Sequence, residues 1–168
     1  MRRVLLVGLA AAGKSAVLEA VAGATGWPGL DDELVLERSA GSSAVELLAS
    51  GGEAALRAAE SDVLTLTLSM PPPLVATSAA AAVLAPHDRQ RLRAGGHVVW
   101  LRASVPTLVR RLAKQGNPTL AAGDPLPALR TMAREREPLY AEVAHQVVDM
   151  DVLTPGQAAR QVVSALRD

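Results

Sequence analysis

The chain contains no cysteine and no phenylalanine, and aromatic residues make up only 2% of its 168 residues. The lack of cysteine excludes disulfides, thiolate metal sites and a cysteine nucleophile, and it suits a reducing cytoplasm. Without phenylalanine, a chain that is 49% hydrophobic must fill its core with Leu, Val and Ala. There is no excess of either charge, with 17 Lys plus Arg against 17 Asp plus Glu. No global field therefore draws nucleic acid or acidic membrane to it, and any anion site must be local. No apolar run approaches the ~18 residues of a membrane span. These absences leave a soluble cytoplasmic chain, read as one domain over residues 1–168 and long enough to bury a substantial core.

What is present begins at Gly8-Leu9-Ala10-Ala11-Ala12-Gly13-Lys14-Ser15. This run fits G-x-x-x-x-G-K-[ST], placed after an apolar β-like run (Val4 to Val7) and before a helical pattern (Ser15 to Ala22), as a phosphate-binding loop requires. Glycines at its two ends let the backbone curl so that successive NH groups converge on phosphate oxygens, and the following helix adds the positive end of its dipole. Lys14 would reach the β and γ phosphates of ATP, and the Ser15 hydroxyl would take one position on Mg²⁺. Two plainer readings compete. A simple helix start explains neither the second glycine nor the spacing. A secretory signal, suggested by Met1-Arg2-Arg3, the apolar run and Ala10-Ala11-Ala12, would remove the first strand of an α/β sheet.

The rest of the chain alternates strand and helix patterns. Strands are expected at Arg3 to Val7, Trp27 to Leu30, Leu74 to Thr77, His97 to Leu101 and Gln146 to Met150, the first continuously apolar as in a strand covered on both faces. Glycines at 23–26 stop the first helix, Ser43 with Glu46 offers a capping box, and Met70-Pro71-Pro72-Pro73 ends a long helix that carries Glu53, Arg57 and Glu60 on one side. Pro86 and Thr154-Pro155 open further helices, and Leu129 to Ala144 forms another. Asp31-Asp32-Glu33 lies at the C-terminal end of the second strand, where open α/β sheets bind ligands; the same acids also suit a helix N-terminus. Gln115 to Pro127 has the composition of a loop. The expectation is an α/β fold of three layers, with a parallel sheet wrapped by helices on both sides.

Over nearly its whole length the chain resembles the shikimate kinases. The resemblance is carried by Leu36-Glu37-Arg38 followed by Gly41, then Gly52-Glu53 with Leu56-Arg57 and Glu60, and Val75-Ala76-Thr77. It continues through residues 98–104, Gly123-Asp124-Pro125, residues 135–140 and Val148-Asp149-Met150-Asp151. It implies a P-loop kinase fold, nucleoside-monophosphate-kinase-like, with a five-stranded parallel sheet and a lid at about 115–122. It also implies transfer of the γ-phosphoryl of ATP, with Mg²⁺, to a hydroxyl of a small carboxylated molecule such as shikimate. By resemblance, Gly8, Ala10, Ala11, Ala12, Gly13, Lys14, Ser15 and Ala16 hold the nucleotide phosphates. Arg110 and Pro155 flank the adenine, and Asn117 occupies the place of a lid arginine that reaches the phosphates. Ser15 and Asp31 serve the metal, Glu33 orients or deprotonates the acceptor hydroxyl, and Arg57 and Arg136 grip the acceptor carboxylate with planar forks suited to it. Lys14, Asp31 and Glu33 are the expected catalytic residues.

Four departures bear on the acceptor and the transfer. Glu33 stands where the family has aspartate, one methylene shorter. Ala79, Ala80 and Ala81 replace a glycine triplet whose bare backbone approaches the substrate, each methyl taking space from a ligand. Asn117 removes a cation. Ala11 replaces a frequent glycine, at a strain of order 1 to 2 kcal/mol if that position needs positive φ. These features keep two alternatives in view: a kinase for a different sugar acid or cyclitol, and a nucleotide-binding protein with little catalytic transfer.

Overall fold

A computed structural model describes residues 2–116 and 123–167. Five parallel strands, β1 (Arg3–Val7), β2 (Gly29–Leu30), β3 (Leu74–Thr77), β4 (His97–Arg102) and β5 (Gln146–Asp149), form one sheet in the order β2-β3-β1-β4-β5. The helices are α1 (Lys14–Thr25), α2 (Asp32–Ala40), α3 (Ala44–Ser69), α4 (Pro86–Gly95), α5 (Val105–Gln115), α6 (Leu126–Val143) and α7 (Pro155–Ala165). The parallel α/β architecture and its five strands match the sequence expectation. Among the described residues no helix is long and apolar enough to cross a membrane.

Strand order determines where the layers lie. From β1 the chain moves one way to β2, and from β3 it crosses β1 to β4 in the other direction. Right-handed crossovers taken in opposite directions place their helices on opposite faces of the sheet. Accordingly α1 packs with α7, while α4 packs with α6 and both meet β4. Covered on both sides, Val4, Leu5, Leu6 and Val7 are at most 1% exposed. The reversal of direction at β1 opens a crevice beyond the C-terminal ends of the strands, and the Gly8–Ser15 loop emerges into it.

Local signals explain most boundaries. Ser43 and Glu46 form the expected capping box at the start of α3, and Thr154 with Gln157 forms one at α7. α1 stops at Gly26, which adopts the left-handed conformation at φ 70. Gly52, at φ 74 and ψ −174, breaks α3 into two segments, so the stretch carrying Glu53, Arg57 and Glu60 starts afresh after it. α6 begins at Leu126, three residues before the expected Leu129, because Pro125 and Pro127 sit at its start, where a missing amide hydrogen breaks no helical bond. The expected lid falls mostly on residues 117–122, outside the described residues.

Candidate active site

The phosphate loop is built by close packing and by one strained residue. A Cβ on Gly8 would lie 2.7 Å from the Leu101 carbonyl oxygen, so only glycine lets β1 turn beside the end of β4. Gly13 takes φ 103 and Ala11 takes φ 66, the one non-glycine with positive φ among the described residues. The condition stated for Ala11 is therefore met, and its methyl is held in a conformation that L residues avoid. Gly13 caps α1 without any side-chain hydrogen bond, which leaves the first amides of a 12-residue helix open to an anion. Lys14 Nζ donates to the carbonyls of Gly8 (2.9 Å) and Leu9 (3.2 Å), holding the ammonium over the loop. Burial pulls its pKa down, and Asp32, Glu33 and Asp31 oppose that shift. Ala10 and Ala16 are exposed, and Ala12 is buried at 1%.

Beside the loop, Asp31 does two things at once. It caps α2 by accepting from the Glu33 amide (3.1 Å), and its Oδ2 accepts from Ser15 Oγ at 2.6 Å. The hydroxyl and carboxylate expected to serve a metal are thus in direct contact. Glu33, more exposed, has its pKa pushed up by partial burial, with Asp32 and Asp31 adding to the shift. Among the described residues no three acids or histidines cluster as a metal cage.

The middle acid of the triplet carries no role in the sequence reading, yet its hydrogen bonds are part-buried where those of Asp31 are exposed. The Asp32 amide donates to Thr77 Oγ1 at 2.8 Å, and the Thr77 hydroxyl donates back to the Asp32 carboxylate. This reciprocal pair ties the start of α2 to the end of β3. Burial raises the pKa of Asp32, against the hydroxyl bond and Lys14. With Glu60, Thr67, Ser78 and Ala79 it walls a cavity of about 10 Å³, room for one water. A forty-five-residue separation hides such a pair from any local pattern.

The acceptor side has two arginines in different circumstances. Arg57 bonds Glu60 at 2.9 Å and Glu53 at 3.0 Å, the two acids that share its side of the helix. Burial raises the pKa of Glu60, and Arg57 holds it back. Arg136 makes no ion pair with Glu135 or Glu137 among the described residues, and its buried Nε has no hydrogen-bond partner there. Its charge acts on both Lys14 and Glu60, so it lies within electrostatic reach of the loop and of Arg57's partner. The Tyr140 hydroxyl donates to the Ala80 carbonyl at 2.6 Å, and burial pushes its pKa up. Ala79 and Ala80 are half-buried, whereas Ala81 is 4% exposed at the start of the turn Ala82–Leu84.

On the other flank, an open cleft of about 280 Å³ is lined by Thr107, Arg110, Arg111, Lys114 and Asp151. Arg110 is exposed and donates to Thr107 Oγ1 at 3.0 Å; Pro155 is exposed at the first turn of α7. Asn117 lies outside the described residues. Arg111, unnoticed in the sequence, donates to the carbonyls of Ala11 (3.2 Å), Ala12 (3.0 Å) and Met150 (2.7 Å).

Comparison with known proteins agrees with this geometry. The family model described as "Shikimate kinase" matches residues 10–167. A shikimate kinase of Xanthomonas oryzae pv. oryzae is 38% identical over 163 residues, covering 96% of this chain and 90% of that protein. One of Paracidovorax citrulli is 41% identical over 145 residues, covering 85% and 79%. The shikimate kinase of Acinetobacter baumannii, solved in complex with shikimate, superposes with a TM-score of 0.91 at 27% identity, covering 99% of this chain and 93% of that one. A gluconokinase of Sinorhizobium meliloti shares the fold at a TM-score of 0.70 and 22% identity, covering 99% and 91%. The phosphate loop, the acids beside it and the match along nearly the entire sequence lead to one conclusion: the chain belongs to the shikimate kinase family of ATP-dependent small-molecule kinases.

Proposed function

We propose that this kinase phosphorylates a hydroxyl of shikimate. The observation that carries the reading is Lys14 held over the loop beside the Ser15–Asp31 pair, with Arg136, its Nε unpartnered, near enough for its charge to act on Lys14. The open amides of the loop and of α1 suit a triphosphate, and Lys14 stabilises charge on the transferring group. Ser15 and Asp31 suit Mg²⁺, a hard ion that takes few protein oxygens and fills its remaining positions with phosphate and water. Bound there, the ion would offset charge on the phosphate oxygens. Arg110 and Pro155 offer flat surfaces for the base. Arg136 and Arg57 take the acceptor carboxylate, Ala79 and Ala80 wall the ring, and Glu33 faces the hydroxyl as its base or orienter.

A different sugar acid is the second reading, favoured by the longer arm of Glu33 and the methyls of Ala79 and Ala80. ADP release measured with Mg-ATP against shikimate, quinate, gluconate and cyclitols separates the two. Turnover of shikimate at an enzymatic rate supports the first; turnover of another acid alone sinks it.

The raised pKa of Glu33 gives a further expectation. As a base it must be ionised, and a raised pKa keeps it protonated to higher pH than an ordinary glutamate. The acid limb of kcat/KM is therefore expected at higher pH than an ordinary glutamate would give. Glu33→Gln should remove that limb and lower kcat by roughly 10²-fold or more. Should Asp32→Asn remove the limb while Glu33→Gln leaves it, the base is misassigned.

A further inference from the structure

Arg111 lies on α5, far in sequence from the phosphate loop, and its guanidinium meets that loop from behind. Nη1 donates to the carbonyls of Ala11 and Ala12, at 3.2 and 3.0 Å, and Nη2 donates to Met150 at 2.7 Å, just past β5. The Met150 amide in turn donates to Arg102 at 2.8 Å, which fixes this anchor to the end of β4. One planar cation thus spans the loop and the sheet.

The partners it selects matter because a peptide group points its carbonyl and its amide in opposite directions. Pinning the Ala12 carbonyl toward Arg111 aims the Gly13 amide the other way, into the crevice. The Ala11 carbonyl belongs to the peptide group whose amide, that of Ala12, closes the turn onto Leu9 at 3.1 Å. Ala11 itself sits at φ 66, where its methyl opposes the conformation. Left to local preference, this segment would leave that conformation, and the convergent amides would disperse.

We propose that Arg111 is a positioning residue for phosphoryl transfer, clamping the carbonyls of the strained Ala11–Gly13 segment so that the Ala12 amide stays in its turn onto Leu9 and the Gly13 amide stays aimed at the nucleotide phosphates. The proposal rests on the reading of this loop as the phosphate site. It differs from a general structural role in predicting that Arg111 and the Ala11 methyl are energetically coupled. A glycine at position 11 adopts positive φ without strain, so it lessens the need for the clamp.

The test is a double-mutant cycle of Ala11→Gly and Arg111→Met, with Arg111→Lys as a milder variant that keeps the charge and loses the fork. Two quantities are read: the thermal midpoint of the nucleotide-free protein, and the Kd for MgADP by calorimetry. Arg111→Met is expected to weaken MgADP roughly tenfold, the loss of one or two charge-assisted hydrogen bonds. The acceptor KM should be unchanged. In the Ala11→Gly background the same substitution should cost about threefold or less, and its effect on the midpoint should shrink in parallel. If Arg111→Met does not fold, Arg111→Lys carries the same comparison with a smaller effect. Equal losses in both backgrounds overturn the proposal, as does a lowered midpoint with unchanged MgADP affinity. Failure of the unmodified protein to bind MgADP would instead count against the phosphate-site reading, and coupling in the nucleotide-free midpoints would still decide whether Arg111 holds Ala11.

Discussion

Replacing Lys14 with methionine is expected to lower kcat by about 10³-fold, some 4 kcal/mol of transition-state stabilisation, with the acceptor KM left nearly unchanged. The side chain is held by the Gly8 and Leu9 carbonyls, so its position owes nothing to the acceptor pocket. Methionine keeps much of the aliphatic stem and removes only the charge. Because the transferring phosphoryl group carries its charge on equatorial oxygens, a cation at that point acts mostly on the transition state rather than on binding. Steady-state kinetics with both substrates varied reads the split. A loss confined to the ATP KM, with kcat intact, would reduce Lys14 to a binding residue. Lys14→Arg should not restore the rate, since a planar fork cannot occupy the place of a compact ammonium between two backbone carbonyls. The loss of this charge also has a local consequence. Lys14 restrains the raised pKa values of Asp32 and Glu33, so both carboxyls should titrate still higher in the Lys14→Met protein.

What could be read before the structure, and what could not, follows from how far apart the interacting groups lie. The phosphate loop was legible because its chemistry needs fixed residues at fixed short spacings. The Glu53–Arg57–Glu60 array was legible because positions three and four apart share a helical face. The capping box at Ser43 and the cap at Thr154 belong to the same class, though Gln157, which completes a box with Thr154, went unread. Strand order was not legible, since alternating patterns give the elements without saying which neighbours pair. Asp32 was hidden inside an acidic triplet; only its pairing with Thr77 on β3 shows that it is the member tying α2 to the sheet. Arg111 left no mark at all. Its partners are carbonyl oxygens, which every residue possesses, so no sequence pattern records them. Ala11 was half legible: a missing glycine posed the question, and φ 66 answered it.

Arg136→Met is expected to raise the acceptor KM by about 100-fold, whereas Arg57→Met should raise it nearer to tenfold, and neither should alter the KM for MgATP. The asymmetry follows from what each guanidinium already holds. Both terminal nitrogens of Arg57 are engaged, one by Glu53 and one by Glu60. The Glu53 pair is the weaker of the two, with that side chain 73% exposed, and yields to a ligand carboxylate at little cost. The Glu60 pair is more buried, so Arg57 divides its charge between the protein and the acceptor. Arg136 has no carboxylate competitor among the described residues; its neighbour is the neutral Tyr140 hydroxyl, and its buried Nε is left for an acceptor oxygen. Stability should show the opposite order. Removing Arg57 strands Glu60 in a partly buried site, where its pKa is already raised by burial, and the thermal midpoint should fall by a few degrees. Removing Arg136 deletes a half-buried cation that has no ion pair among the described residues, and the midpoint should hold or rise. Acceptor kinetics and thermal unfolding on the two variants check both orders together. An equal loss of MgATP affinity in either variant would place that arginine on the nucleotide, and a larger acceptor defect in Arg57→Met would reverse the division of labour drawn from these ion pairs.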